Sequence, residues 1–272
     1  MLARAMGVPP DHVSAYLRRL QIDPPLDCDH DTLQRLHHAH LDAIPFENLD
    51  IHLGIPIRLE PAALLTKLVG RRRGGFCYEL NGAFAWLLTS LGFRVELLQA
   101  RVYKDGALGI PFDHMCLLVQ LESPWLCDVG FGQSHRSPLR ADLRGCQSDL
   151  NGEYQIEPCP DSGEVDEWLE LIENGQPAFR FSPRSRELQD FQAACAYHQS
   201  SPQSHFTQDT VCTLPTPRGR VTIRGRRLIQ TLDGDKQERE IEDDAELLRL
   251  YRESFGVELD RVPCPARPDR EA

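Results

Sequence analysis

The apolar positions of the chain keep one period up to about residue 92 and another beyond it. Before that point they recur every three to four residues, the spacing of an amphipathic helix. Val13, Tyr16, Leu17 and Leu20 make the first stripe, with Asp11 as cap and Pro24-Pro25 as stop. Leu33, Leu36, His40 and Leu41 make a second over residues 31–44, capped by Asp31 and broken by Pro45 to Asp50. A third, over residues 59–69, opens with Pro61 at a first-turn position. The fourth runs through Cys77, Leu80, Phe84, Leu87, Leu88 and Leu91, and Gly92 stands where a helix C-terminal glycine belongs. This pattern predicts a helical first domain over residues 1–91.

From Phe93 the period is two. Strands are expected over residues 93–102, 114–121 and 125–129, with Asp105-Gly106 as a turn and residues 122–124 short enough for an antiparallel hairpin. Further strands are expected at 154–156, 168–172 and 178–181. The middle domain, residues 92–187, therefore reads as a barrel or curled sheet. Residues 188–200 return to helical spacing, and a turn-rich crossing follows at 201–206. Strand-like runs at 211–214, 220–224, 227–232 and 239–241 lead to a last helix opened by Asp243-Asp244. Residues 188–272 thus form a third, α/β domain, with a loosely held tail rich in proline and charge after Leu259. No internal repeat is visible.

Composition narrows the function classes. At 272 residues, 41% hydrophobic and 26% charged, the chain can bury a large core and reads as an ordinary soluble protein. A net charge of −11 argues against nucleic acid or an acidic membrane as partner. Nine scattered cysteines form no C-x-x-C pair, which argues for free thiols in a reducing cytoplasm. The first twenty residues lack the apolar core of a signal peptide, and no run approaches ~20 apolar residues. His37, His38 and His40 put only two imidazoles on one helix face, with no carboxylate pair to complete a metal site.

The candidate chemistry gathers at residues 71–92, RRRGGFCYELNGAFAWLLTSLG. Gly74-Gly75 lets backbone pass close to whatever the sulfur attacks, and Cys77 falls in the first turn of the helix. The unpaired N–H groups and positive end of a helix favour an anion. A thiol there can fall from ~8.5 toward neutrality, more so beside an imidazolium. A nucleophilic cysteine also needs a base and a group that orients the base. His114 begins one strand of the hairpin and Asp128 ends the next, each seven residues from Leu121, so the two ends should lie side by side. Backbone N–H groups at Phe76 to Tyr78 are candidates to hold an oxyanion. Cys116 and Cys127 sit mid-strand in apolar runs and read as core. Each residue alone also reads as structural: Cys77 as a buried thiol, His114 as a partly buried polar group, Asp128 as a turn former. Together they point to a nucleophile, its base and the orienter of that base.

Several blocks carry a family resemblance. They are Arg73-Gly74-Gly75-Phe76-Cys77-Tyr78-Glu79-Leu80-Asn81, Pro45-Phe46-Glu47-Asn48-Leu49 upstream, and His114 before an apolar strand. Asp128-Val129-Gly130-Phe131-Gly132 and Ser201-Pro202-Gln203-Ser204-His205-Phe206 follow. In this order, across residues 30–210, the chain resembles the arylamine N-acetyltransferases. The resemblance implies an α+β, cysteine-protease-like fold with a helical bundle, a β-barrel and an α/β lid. It implies a triad at Cys77, His114 and Asp128, with Phe131 lining the acceptor pocket and Gly132 after it. Tyr197, Ser201 and Ser204 would lie near the donor. Acetyl-CoA would acetylate Cys77 and CoA would leave. An arylamine, hydrazine or N-hydroxyarylamine would then take the acetyl group, in xenobiotic metabolism and without a metal. Two aromatics differ from the common pattern, with Phe76 for Tyr and Tyr78 for Phe, and the third domain matches weakly. The competing expectations are an amide synthase with a longer acyl donor, a cysteine hydrolase and a binding module with an idle triad.

Overall fold

A computed structural model describes residues 11–159 and 167–264. The start of the first expected helix and the end of the expected tail lie outside these residues.

The central helix is α5 (Cys77–Leu91), in which every residue from Cys77 to Leu88 is buried. Its sequence is apolar on nearly all sides, and a helix of that kind belongs in a core rather than at a surface. Gly92 ends it in the left-handed region, φ 105°. Around it pack α1 (Asp11–Leu20) and α2 (His30–Ala43). The cap of α2 is Asp29, whose carboxylate accepts the Thr32 N–H at 2.8 Å. Asp31, expected as the cap, lies in the first turn. Asp29 has the extended backbone that aims a side chain at the N3 amide, and Asp31 is already helical. The helix expected over 59–69 is split into α4 (Pro61–Leu65) and a wide π turn, Thr66–Gly70, which holds Lys67 buried. The 45–50 break is itself structured, as β1 (Phe46–Glu47) and the start of α3 (Leu49–Leu53).

The large sheet is antiparallel throughout. Its strands are β2 (Arg94–Lys104), β4 (His114–Gln120), β5 (Pro124–Cys127), β6 (Leu139–Arg140), β7 (Gln147–Asp149), β8 (Gly152–Pro158), β9 (Leu169–Glu173) and β10 (Gln176–Arg186). They run in the order β6-β5-β4-β2-β10-β9-β8-β7, and a short β3 (Ala107–Leu108) adds to β2. The two edges almost meet. Gln147 on β7 accepts the Arg140 N–H at 2.7 Å and donates to the Arg140 carbonyl at 3.1 Å. One side chain thus bridges the two edges of a nearly closed barrel. Inside it Leu98, Cys116, Leu126, Ile156, Phe179 and Phe181 form a core.

A second sheet, β1-β11-β12-β13-β14, uses β11 (Val211–Thr216), β12 (Gly219–Arg224), β13 (Arg227–Leu232) and β14 (Asp235–Glu240). The outer strand β14 is exposed along its length and reads DKQERE, a charged edge that discourages further strand pairing. Helix α8 (Asp244–Phe255), capped by Asp243, packs on this sheet together with Leu49 and Leu53 of α3. Between the sheets lie a 3₁₀ turn (Leu188–Phe191), α6 (Gln192–Ser200) and α7 (His205–Gln208). No described helix is long and apolar enough to cross a membrane.

The β4–β5 hairpin corrects one expectation. Leu117 stands opposite Cys127 and Gln120 opposite Pro124, so Asp128 is not level with His114. The turn sits one residue later than the symmetric count assumed, and β5 ends at Cys127. Asp128 therefore leaves the ladder, and its side chain turns back toward the imidazole.

Candidate active site

The loop before Cys77 is held by charge. Arg73 Nη2 lies 2.8 Å from both Glu47 and Asp50. Lys67 Nζ lies 2.8 Å from Glu79 and 3.0 Å from Asp50. Glu79 also accepts the Phe76 N–H at 3.2 Å and so caps the helix that carries Cys77. The glycines were expected to leave room for substrate, yet they meet the protein itself. A Cβ at Gly74 would come within 2.0 Å of the Pro45 carbonyl, and one at Gly75 within 2.7 Å of Glu79.

Here three buried carboxylates face two cations. Burial raises the Glu79 carboxyl from 4.5 to about 7, with Glu47 and Asp50 pushing the same way and Lys67 opposing. A carboxyl whose folded value is raised binds its proton better in the folded state. Its contribution is then fully present below the unfolded value and is lost as pH rises toward 7. Glu79→Gln keeps an acceptor for the Phe76 N–H and removes the titration. The wild type should lose about 1–3 kcal/mol of stability relative to this variant between pH 4.5 and pH 8. Urea midpoints across that range test it, and parallel curves for the two proteins would refute it.

His114 begins β4 and is 3% exposed. Its Nε2 lies 2.6 Å from Asp128 Oδ2. The segment before it is strained into place, since Phe112 has φ 61° in the left-handed region that bulky residues avoid. Tyr78, the residue after Cys77, secures it by donating its hydroxyl to the carbonyls of Phe112 (2.7 Å) and Asp113 (3.0 Å).

Asp128 is saturated with donors. Its Oδ1 accepts from Asn81 Nδ2 and from the Gly130 N–H, each at 2.9 Å. Burial alone would raise this carboxyl, but the charge and hydrogen bond of His114 and the Asn81 amide hold it below its ordinary value. Two side chains fix its backbone surroundings. Asn81 accepts the Val129 N–H at 3.0 Å and donates to the Met115 carbonyl at 2.6 Å. His37 accepts the Asp128 N–H at 3.2 Å. Burial drives His37 down to about 3, so the ring is neutral and its Nδ1–H donates to the Arg136 carbonyl at 2.7 Å. Asn81 stands one helical turn after Cys77, on the same face, and joins all three elements. Its role was not read from the sequence, although it lies within the cysteine block.

Cys77 is 3% exposed, and burial pushes its thiol well above the ordinary value. Asp113 and Asp128 add to the shift, and a hydrogen bond from the Met115 backbone opposes it. The expected lowering by the helix N-terminus is therefore overridden by desolvation, and the sulfur ionises only if a cation forms beside it. Gly130 is packed so closely that a Cβ would lie 2.7 Å from both Cys77 Cα and Asn81 Nδ2. Cys116 and Cys127 are 0% exposed, and burial pushes both thiols up.

A cavity of about 290 Å³ opens onto these residues, lined by Cys77, His114, Phe46, Val102, Phe131 and Phe206 among others. Phe131 lines the cavity and meets the His114 ring edge-on at 5.3 Å. Gly132, with φ 88°, packs beside the Phe46 ring and lines a second, small hollow rather than the cavity itself. Tyr197, Ser201 and Ser204 do not line the cavity. Tyr197 packs on His198, the Ser201 carbonyl accepts the Ser204 N–H at 3.0 Å, and Ser204 caps α7. Asn48 ties the C-terminal part to the site, donating to the Phe206 and Asp209 carbonyls and accepting the Val211 N–H at 2.7 Å. The clustered histidines are engaged elsewhere, His38 with Ser137 and His40 with Tyr16. Among the described residues no group of three or more His, Cys, Asp or Glu is arranged to hold a metal ion.

A family model described as N-acetyltransferase matches residues 29–263. The arylamine N-acetyltransferase of Mycolicibacterium smegmatis is 34% identical over 257 residues, covering 91% of this chain and 92% of the relative. The chain belongs to the arylamine N-acetyltransferase family. It is thus an enzyme of the acyltransferase class, and its fold is the α+β arylamine N-acetyltransferase fold expected from the sequence. The solved arylamine N-acetyltransferase of Salmonella typhimurium superposes with a TM-score of 0.82 at 31% identity, covering 92% of each chain. That of Mycobacterium marinum in complex with CoA superposes with a TM-score of 0.80 at 31% identity, covering 90% of this chain and 92% of that one.

Proposed function

We propose that the chain transfers the acetyl group of acetyl-CoA to arylamines, arylhydrazines and N-hydroxyarylamines through an acetyl-Cys77 intermediate. The observation that carries this reading is the 2.6 Å bond from buried Asp128 to His114, which lines one cavity together with Cys77. Nε2 is committed to Asp128, so Nδ1 takes the thiol proton. The resulting imidazolium is the cation that a buried sulfur needs, and the ionised Asp128 stabilises it. The thiolate attacks the acetyl carbonyl, a carbon–sulfur bond to Cys77 forms and the one to CoA breaks. Exchange between thioesters is easy because the leaving group is itself a thiol. His114 returns its proton to CoA. An uncharged amine then attacks acetyl-Cys77, His114 takes the amine proton, and the sulfur regains it as the intermediate collapses. The Phe76 N–H is occupied by Glu79, which leaves the Cys77 and Tyr78 N–H groups for the oxyanion.

Phe46, Val102, Phe131 and Phe206 line the cavity beside Cys77 and His114, an apolar setting that suits an aromatic acceptor. The CoA-bound Mycobacterium marinum relative supports the donor. The name of the Salmonella typhimurium relative, arylamine N-acetyltransferase / N-hydroxyarylamine O-acetyltransferase, supports the acceptor range; that relative is 33% identical over 256 residues. Steady-state rates with acetyl-CoA and a neutral arylamine varied together should give parallel double-reciprocal lines. Intersecting lines would mean that both substrates must be bound at once, and the covalent scheme would fall.

A further inference from the structure

A second imidazole–carboxylate pair, which the acetyl-transfer scheme does not use, stands at the wall of the cavity. Asp113 immediately precedes His114 and lines the same cavity. Its Oδ1 lies 3.1 Å from His198 Nε2, and its Oδ2 accepts the Val102 N–H at 3.3 Å. Gly109 leaves space for the carboxylate, because a Cβ there would come within 2.1 Å of Oδ2. His198 is 2% exposed, and its Nδ1 lies 3.0 Å from Ser204 Oγ. Ser204 Oγ in turn accepts the Phe206 N–H at 3.3 Å. Phe206, Ser204 and His198 thus stand in a row behind one carboxylate at the wall of the cavity.

The remaining charged groups do not balance it. Of the side chains lining the cavity, Asp113 and Asp209 are acidic and Arg224 is basic. Arg224 Nε is already paired with Asp209 at 3.1 Å, toward solvent. His205 also lines the cavity, but burial lowers it to about 4, with Lys104 and His198 acting the same way, so it is neutral near pH 7. Asp113 itself stays ionised: burial would raise its carboxyl, but the hydrogen bond and charge of His198 and the Val102 amide hold it below its ordinary value. Its field reaches the nucleophile, since it raises the Cys77 thiol more than Asp128 does.

We propose that Asp113 is a specificity-determining residue that selects neutral and cationic aromatic amines as acceptors and rejects those carrying a carboxylate. The proposal rests on the acetyl-transfer reading above and adds the charge class of the acceptor. The His198 ring, 3.0 Å from Ser204 Oγ and 3.1 Å from the carboxylate, backs Asp113 from outside the cavity lining and fixes its position. Like charges brought together in a partly enclosed cavity repel, and the Val102 N–H and the neighbouring His198 ring keep Asp113 from swinging away.

The test uses three acceptors of one shape: 4-aminobenzamide, 4-aminobenzoate and 4-(aminomethyl)aniline, which are neutral, anionic and cationic. Wild-type kcat/KM should be at least about tenfold lower for the benzoate than for the benzamide, with the cation no worse than the benzamide. Asp113→Asn removes the charge while keeping one oxygen for the Val102 N–H, with its NH₂ turned toward the His198 ring, and should bring the benzoate to within about threefold of the benzamide. Wild-type rates in which the benzoate equals or exceeds the benzamide would overturn the proposal, whether or not the variant folds. An unchanged ratio in a folded Asp113→Asn would also overturn it. Absence of transfer to any of the three acceptors would instead remove the acetyl-transfer reading on which it rests.

Discussion

Cys77→Ala is expected to remove acetyl transfer, lowering kcat by a factor on the order of 10⁶, as loss of a covalent nucleophile does elsewhere. No other sulfur can substitute. Cys116 and Cys127 are sealed in the sheet, each 0% exposed. Cys195 is 2% exposed and does not line the cavity, and burial raises its thiol to about 12. The substitution deletes one buried atom at the end of a long packed helix, so the fold should survive with a cost of about 1 kcal/mol. CoA release from acetyl-CoA in the presence of a neutral arylamine is the readout, with an unfolding midpoint measured beside it. A folded variant that retains more than about one-hundredth of the wild-type rate would show that the acyl group does not pass through this sulfur.

Asp128→Asn is expected to cost on the order of 10³–10⁴ in kcat/KM while leaving the protein folded. The carboxylate accepts from His114 on one oxygen and from Asn81 and the Gly130 N–H on the other. An amide has only one oxygen to offer. If that oxygen faces His114, the NH₂ meets two donors with nothing to accept it. If the amide turns over, its NH₂ donates to Nε2 and moves the ring proton to Nδ1. In that tautomer His114 cannot take the proton of Cys77. Either arrangement also withdraws the negative charge that stabilises the imidazolium. Initial rates for acetyl-CoA cleavage across pH measure the loss, and a less than about tenfold effect would mean that Asp128 serves only to shape the turn.

Much of the fold was legible because burial imposes periodicity. The α5 stripe, the run of antiparallel strands and the last helix stand where the spacing set them. The Asp29 cap was missed because Asp29 and Asp31 are chemically equal, and only the backbone angle separates them. β1 and α3 were missed because Pro45 to Asp50 has breaker composition, and its pairing partner, β11, lies more than 160 residues away. The His114–Asp128 contact was legible from element ends, but for partly wrong reasons. The hairpin register is shifted, and the bond forms because Asp128 leaves the strand. Desolvation, which depends on what packs around the sulfur, outweighs the helix dipole on which the sequence argument relied. Asn81 and His37 act through backbone groups, and no spacing rule reports such contacts. Asp113 and His198 are 85 residues apart and meet only when α6 packs against the segment before β4.

If one buried sulfur accepts the acetyl group, with its proton passed to an imidazole that an aspartate steadies, the protein should carry that group covalently before any amine is added. Intact-mass measurement after brief exposure to acetyl-CoA, with no amine present, tests this most directly. The account predicts the added mass of one acetyl group, localised by peptide mapping to Cys77 and missing from Cys77→Ala. An unmodified protein, or an acetyl group found on a different residue, would contradict it.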